Sequence, residues 1–192
     1  MDFSTLICYL KQNNKMKKLF SIALLATGLF TAMQVNAQKP PEDKSKRPSP
    51  PATATQALKS GATITIDYSQ PSIKGRTIGK DLEPMEGKVW RTGANEATVF
   101  TTTKDVMVEG KKLPAGKYGL FTIFNGSKAT IIFNKTWNQW GAFKYQAGDD
   151  ILRVDAKVKD AKMMTEKMSF MISASGDVML MWGNKTVDFT VK

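Results

Sequence analysis

From Ala52 to the C-terminus the chain repeats one pattern: a short run with apolar side chains at every second position, then a turn. Ile64, Ile66 and Tyr68 fall on one face of such a run. Met168, Phe170 and Ile172 share a face in another, as do Val178, Leu180 and Trp182, and then Val187, Phe189 and Val191. A period of two sends successive side chains to opposite sides of a strand, so each run predicts a strand with one face for a core and one for water. Residues 97–103 are rich in β-branched side chains, and Val106, Met107 and Val108 follow. Runs 117–124 and 128–133 flank Asn125, Gly126 and Ser127, and Asn-Gly between alternating runs signals a hairpin because both residues tolerate positive φ. A parity change near Arg153 predicts a bulge, and Gly183-Asn184 reads as the turn before a last strand. No stretch keeps a 3.6-residue period; residues 58–61 and 77–83 have room for a helical turn at most. Nine or ten strands at turn spacings of about 8–12 residues predict an all-β fold, an antiparallel two-sheet β-sandwich of jelly-roll type.

Upstream the composition changes twice. Lys17 and Lys18 open an apolar stretch over residues 19–33, and Val35-Asn36-Ala37 supplies small residues at a cleavage position. That layout predicts a secretory signal peptide over residues 16–37, with Gln38 as the mature N-terminus. The apolar run of about 15 residues falls short of the about 20 that a spanning helix needs, so no integral membrane span is expected in the mature chain. No cysteine stands at the cleavage point to carry a lipid. The expected location is periplasmic or secreted. Residues 1–15 match no signal region, and translation is expected to start at Met16. Residues 38–51 hold five of the chain's eight prolines among charged and small residues, which predicts a disordered linker ahead of a β-sandwich domain over 52–192.

The chain has no histidine, and its single cysteine, Cys8, lies ahead of the expected cleavage point. Thiol nucleophiles, imidazole bases, disulfides and Cys/His metal sites are thereby excluded from the mature domain, and no cofactor or tightly held zinc, copper or iron is expected. Cleavage at Ala37 leaves 24 basic and 16 acidic residues, a formal charge of +8 against +11 for the whole chain. The lysines are scattered, with no basic run longer than Lys46-Arg47 or Lys111-Lys112. A solvated basic surface fits this better than a nucleic-acid track, and no nucleic-acid partner is expected. The three Asn-x-Ser/Thr triplets, at Asn125, Asn134 and Asn184, each fall at a turn and carry no functional weight.

Four segments stand apart from the strand pattern. Residues 68–76 leave a strand through Pro71 and end in Lys74-Gly75-Arg76. Residues 89–98 put Trp90, Arg91, Asn95 and Glu96 around Gly93. Residues 112–121 begin with Leu113-Pro114-Ala115-Gly116, and residues 137–145 gather Trp137, Trp140, Phe143 and Tyr145. With Tyr68-Ser69, Pro71-Ser72, residues 88–97 and Gln139-Trp140-Gly141-Ala142, these segments resemble the exported family catalogued as domain of unknown function 2911. The resemblance runs from about Pro50 to the C-terminus. It implies an exported, signal-bearing domain and no activity that can be carried onto particular residues.

Two readings of the second and fourth segments stay open. In one they form a ligand site: Trp90 or Trp140 stacks on a sugar ring, and Arg91, Asn95 and Glu96 bond its hydroxyls or an acidic group. Arg76 and Arg91 are the natural anion ligands, because a guanidinium matches a carboxylate or phosphate with two parallel bonds. In the other, the tryptophans are core anchors and Arg91 pairs with Glu96 to pin the loop. The first reading predicts Arg91, Asn95 and Glu96 in one pocket with Arg76 nearby. An enzyme would have to work through carboxylates among Asp67, Glu83, Glu96, Asp149 and Asp150, and no spacing singles out a pair. Pro71, not serine, stands three residues before Lys74, so no Ser-x-x-Lys motif exists there, and Asp149-Asp150 lacks the Asp/Asn-rich loop of a calcium site. The expectation is an exported, non-enzymatic module binding a glycan-like or anionic small ligand or an envelope partner. A carboxylate-dependent periplasmic hydrolase and a structural or stress-associated envelope protein are the alternatives.

Overall fold

The computed structural model describes residues 42–192; the signal-peptide and translation-start expectations fall outside the described residues. One compact unit runs from Asp43 to Lys192. Its strands are β1 (Pro51–Ala57), β2 (Thr63–Ser69), β3 (Val89–Trp90), β4 (Thr98–Thr102), β5 (Val106–Val108), β6 (Lys111–Leu113), β7 (Gly116–Asn125), β8 (Lys128–Asn134), β9 (Asp150–Ile172) and β10 (Asp177–Thr190). The described helices are two single 3₁₀ turns, Lys44–Lys46 and Ala147–Asp149. Every pairing between named strands is antiparallel. The all-β expectation holds.

Eight strands form one sheet in the order β1-β2-β4-β7-β8-β9-β10, with β3 continuing the β4 side of β7; β5 and β6 form a separate pair. The Asn125 hairpin is as the sequence predicts, since Asn125 pairs with Lys128 across Gly126, whose φ is +60. The predicted bulge near Arg153 falls at Ile151, where the register with β8 slips between Phe133 and Asn134. At Gly183-Asn184 the structure corrects the expectation. No turn interrupts the chain there; β10 runs on through an irregular register at Gly183 (φ +62), a bulge of the kind glycine permits. The two last strands of the sequence pattern are therefore one.

The 23 residues of β9 make the sheet curl. Its first part pairs with β8, whereas its second part reaches the segment that leaves β2. There the Met168 N–H donates to the Pro71 carbonyl (3.0 Å) and the Ile73 N–H to the Glu166 carbonyl (3.1 Å). The Tyr68 hydroxyl accepts the Phe170 N–H at 3.2 Å, and the two rings meet edge to face at 5.0 Å. The small hairpin is fastened by Met107 and Lys192, whose N–H groups donate to each other's carbonyls at 2.7 and 2.9 Å. Inside the curl Phe133 packs edge-on against Phe100 at 5.0 Å and Phe189 at 6.3 Å, with Ile64, Ile66, Leu120 and Ile131 around them, all buried. Side chains of this size, removed from water, contribute about 1.5–3 kcal/mol each, which makes the common inner face the main support of the curl.

The proline-rich segment departs from the expected disordered linker over its second half. Residues 44–46 form a turn capped by Asp43, and β1 starts at Pro51, inside the expected linker. Backbone pairing with β2 and the Gln70 N–H, which donates to the Pro50 carbonyl at 2.9 Å, hold its end, and ion pairs add to them. Lys44 Nζ and Arg47 Nη1 each reach a different oxygen of Glu96 at 2.8 Å.

Candidate functional site

The long excursion between β2 and β4 builds a region where charged groups of both signs face one cavity. It leaves β2 through Pro71, which is buried, and reverses at Lys74 (φ +46) and Gly75 (φ +72). Arg76 folds back over that reversal, its Nε donating to the Ile73 carbonyl (3.1 Å) and its Nη2 to the Ser72 carbonyl (2.7 Å). Residues 77–82 form a tight loop in which the Asp81 carboxylate accepts the Thr77 N–H at 3.0 Å. The Glu83 carboxylate accepts the Met85 N–H at 3.1 Å, and the Glu83 carbonyl accepts the indole N–H of Trp182 at 2.8 Å. The β10 bulge makes room for this loop: a Cβ on Gly183 would come within 2.6 Å of Ile78 Cδ1.

Strand β3 then carries Trp90 into the interior, 1% exposed, where its indole N–H donates to the Gly93 carbonyl at 3.0 Å. The turn after it is held by buried hydroxyls: Thr98 Oγ1 donates to the Thr92 carbonyl (2.8 Å) and Thr92 Oγ1 to Thr122 Oγ1 (3.2 Å). Asn95, in the left-handed region at φ +57, donates its side-chain amide to the Ser49 carbonyl at 2.9 Å. Between these walls lies a cavity of about 450 Å³ that Arg76, Asp81, Glu83, Met85, Trp90, Arg91, Asn95 and Trp182 help to line.

Arg91 is the group in it that the protein satisfies least. Its Nε is buried with no hydrogen-bond partner among the described residues. Burial pushes the guanidinium below its ordinary pKa, and the nearby negative charge of Glu83 works the other way. An arginine keeps its charge under any such shift, so the fold holds a partly desolvated cation with nothing bonded to that nitrogen.

The sequence-expected residues therefore divide. Arg76, Trp90, Arg91 and Asn95 line one cavity; Glu96 and Trp140 stand outside it. The chain turns at Asn95, and Glu96 bridges to Trp140 on the neighbouring surface. Burial alone would raise the Glu96 pKa, yet hydrogen bonds from Lys44 and Arg47 hold it below the usual glutamate value. Trp140 is 54% exposed, and the Arg47 guanidinium lies 5.6 Å from its ring centroid. The expected alternative of an Arg91–Glu96 pair is thus replaced by pairs to Lys44 and Arg47. Trp90, fully enclosed, is an anchor of the wall and offers no stacking platform to solvent.

Of the five carboxylates weighed for catalysis, only Glu83 reaches the cavity. Asp67 accepts from Thr53 Oγ1 (2.7 Å), and Asp149 holds Lys135 and Thr136 at 2.9 Å each. Asp150 accepts from Asn134 Nδ2 (2.7 Å), Tyr145 Oη (2.8 Å) and Arg153 Nε (2.7 Å). Two cavity residues carry no such sequence signal. Asp81 reads as an ordinary loop residue, and Trp182 as one more inward side chain of a strand; the one hint is the acidic pair at 81 and 83 just before Pro84. Among the described residues no three His, Cys, Asp or Glu side chains group as a metal site, and no helix is long and apolar enough to cross a membrane.

Residues 49–191 match the family described as protein of unknown function (DUF2911). The chain belongs to that family. No curated protein and no solved structure matches it. The DUF2911 span begins at Ser49, whose carbonyl holds Asn95, so it contains every residue lining the cavity. Lys44 and Arg47, which clamp Glu96, lie ahead of the DUF2911 span.

Proposed function

We propose that this chain is an exported, non-enzymatic binding module that takes a small ligand with an anionic group into the cavity beside Arg91. One observation carries the reading: a partly buried guanidinium whose Nε has no partner, at the wall of a cavity large enough for a small molecule. Desolvation strengthens what such a cation can offer, and its fork suits a carboxylate or phosphate. Arg76 and the Asn95 carboxamide line the same space and add further polar contacts. Export rests on the residue 16–37 pattern, and a jelly-roll-like sandwich remains the finer description we favour for the curled sheet, supported by the Phe100–Phe133–Phe189 stack inside it. A glycan fits less well, since Trp90 is enclosed and Trp140 lies elsewhere. The hydrolase is the second reading, favoured by Asp81 and Glu83 lining one cavity; against it, each is already held by a backbone N–H.

Calorimetric titration with inorganic phosphate and with small carboxylates, amino-substituted and plain, tests the proposal. At least one should bind, and Arg91→Ala should weaken it by ten-fold or more, as the loss of a charged hydrogen bond worth about 1.5–3 kcal/mol requires. The fold should survive in that variant, because the side chain makes no internal hydrogen bond among the described residues and only its packing and the attraction of Glu83 are lost. Affinity unchanged by Arg91→Ala, or no binding by any of the set, overturns the reading in favour of an envelope partner or a structural role.

A further inference from the structure

The wall around Arg91 is not simply basic. Arg76 and Arg91 share it with Asp81 and Glu83, so its formal charge is zero. A ligand that is only an anion gains Arg91 and meets Glu83 at the same time. We infer that the ligand is a small zwitterion, a free α-amino acid or very short peptide, whose carboxylate is held by Arg91 and whose ammonium is held by Glu83 and Asp81. This rests on the anion-binding reading above and narrows it.

Three features support the assignment. First, Glu83 is near enough for its charge to act on Arg91, but no hydrogen bond joins the two side chains among the described residues. Opposite charges that collapse onto each other offer a ligand little; held apart, each is available. Second, the loop orients each carboxylate with one oxygen and leaves the other over. Glu83 Oε2 takes the Met85 N–H and Asp81 Oδ2 takes the Thr77 N–H, while Glu83 Oε1 and Asp81 Oδ1 have no bond among the described residues. An ammonium brings three donors and no acceptor, which matches two spare carboxylate oxygens. Third, both indole N–H groups of the wall are already spent, Trp90 on the Gly93 carbonyl and Trp182 on the Glu83 carbonyl. With both indoles enclosed, the apolar surface left to the ligand is that of the half-buried Leu82 and Met85, which suits a side chain rather than hydroxyls. A polyol would leave the spare charges without charged partners; an amino acid satisfies both signs at once.

Calorimetry on the exported chain with leucine, phenylalanine and glutamate decides it, each beside the carboxylate lacking its amino group and the amine lacking its carboxylate. For leucine these are 4-methylpentanoate and 3-methylbutylamine. At least one amino acid should bind ten-fold or more tightly than either of its analogues. Glu83→Gln, whose amide oxygen can still accept the Met85 N–H, should bring that amino acid down toward its plain carboxylate and leave the carboxylate's own affinity no lower, since the charge that opposes an anion is gone. If a plain carboxylate binds as tightly as its amino acid and Arg91→Ala abolishes it, the zwitterion is refuted while the anion site stands. If the amine binds best, or nothing binds, both fall. Should Glu83→Gln not fold, as judged by circular dichroism, Asp81→Asn and the analogue series on the unaltered protein decide the matter.

Discussion

Gly93 sits where two parts of the chain nearly touch. A Cβ built there would lie 3.0 Å from Thr98 Oγ1 and 3.1 Å from the Ser69 carbonyl oxygen. Its own φ does not require glycine, since the left-handed positions of the segment are Thr92 (φ +54) and Asn95 (φ +57). Gly93→Ala should therefore cost stability through crowding, by about 1–3 kcal/mol, the usual range for an overpacked site. Urea denaturation measures it, and a loss too small to detect would mean the β2 exit gives way freely. Glu96 is the other residue whose role changes in the structure. Its carboxyl is held below the ordinary value in the folded state by Lys44 and Arg47, so the clamp stabilises the fold above the unfolded glutamate pKa and is lost as pH falls through the lowered folded one. Because Lys44 and Glu96 are both well exposed, the contribution is at most about 1 kcal/mol. Glu96→Gln should lower the melting temperature slightly at neutral pH and match the unaltered protein below that window, and it should leave ligand affinity alone.

Among the elements, the β9–β10 hairpin carries the greatest demands. Its turn contains Gly176 at φ +90, and any Cβ there would strike the Val191 carbonyl, which packs directly over it. Gly176→Ala combines a left-handed backbone with a clash against main chain, so a loss above about 3 kcal/mol is expected, read by denaturation or by failure to accumulate folded protein. The methionines of the same hairpin differ widely in exposure. Met163, Met164 and Met171 are 82%, 64% and 60% exposed, whereas Met168 is fully buried among the core residues. Mild peroxide should convert the first three to sulfoxides well before Met168, as peptide mass spectrometry can follow; early oxidation of Met168 would mean the hairpin opens in solution. Alternation made these strands legible, and it is also why their length was not. Gly183-Asn184 has the composition of a turn, and nothing local distinguishes a turn from a bulge when the answer depends on Ile78, over a hundred residues away, needing the space.

For the molecule as a whole, the sequence conveyed the class of fold and a minority of the residues that line the cavity. Arg76, Trp90, Arg91 and Asn95 could be gathered because polar groups around glycine and proline turns have no packing reason to be there. Asp81 and Trp182 could not, since each acquires its role from an element distant in the chain. That distance has a consequence for how binding and folding are joined. Trp182 reaches back to Glu83, Gln70 to the Met168 carbonyl and Phe170 to Tyr68, so the floor of the cavity exists only once the last quarter of the chain has docked on the first strands. On the proposed binding function, no partly folded chain lacking that hairpin could hold a ligand. Occupancy is then linked to the global equilibrium rather than to a loop: at a concentration of a hundred times Kd the ligand should add about 2.7 kcal/mol to unfolding as a single cooperative transition. Amide exchange would show this as added protection in β2 and β10 alike, far beyond the residues the ligand touches.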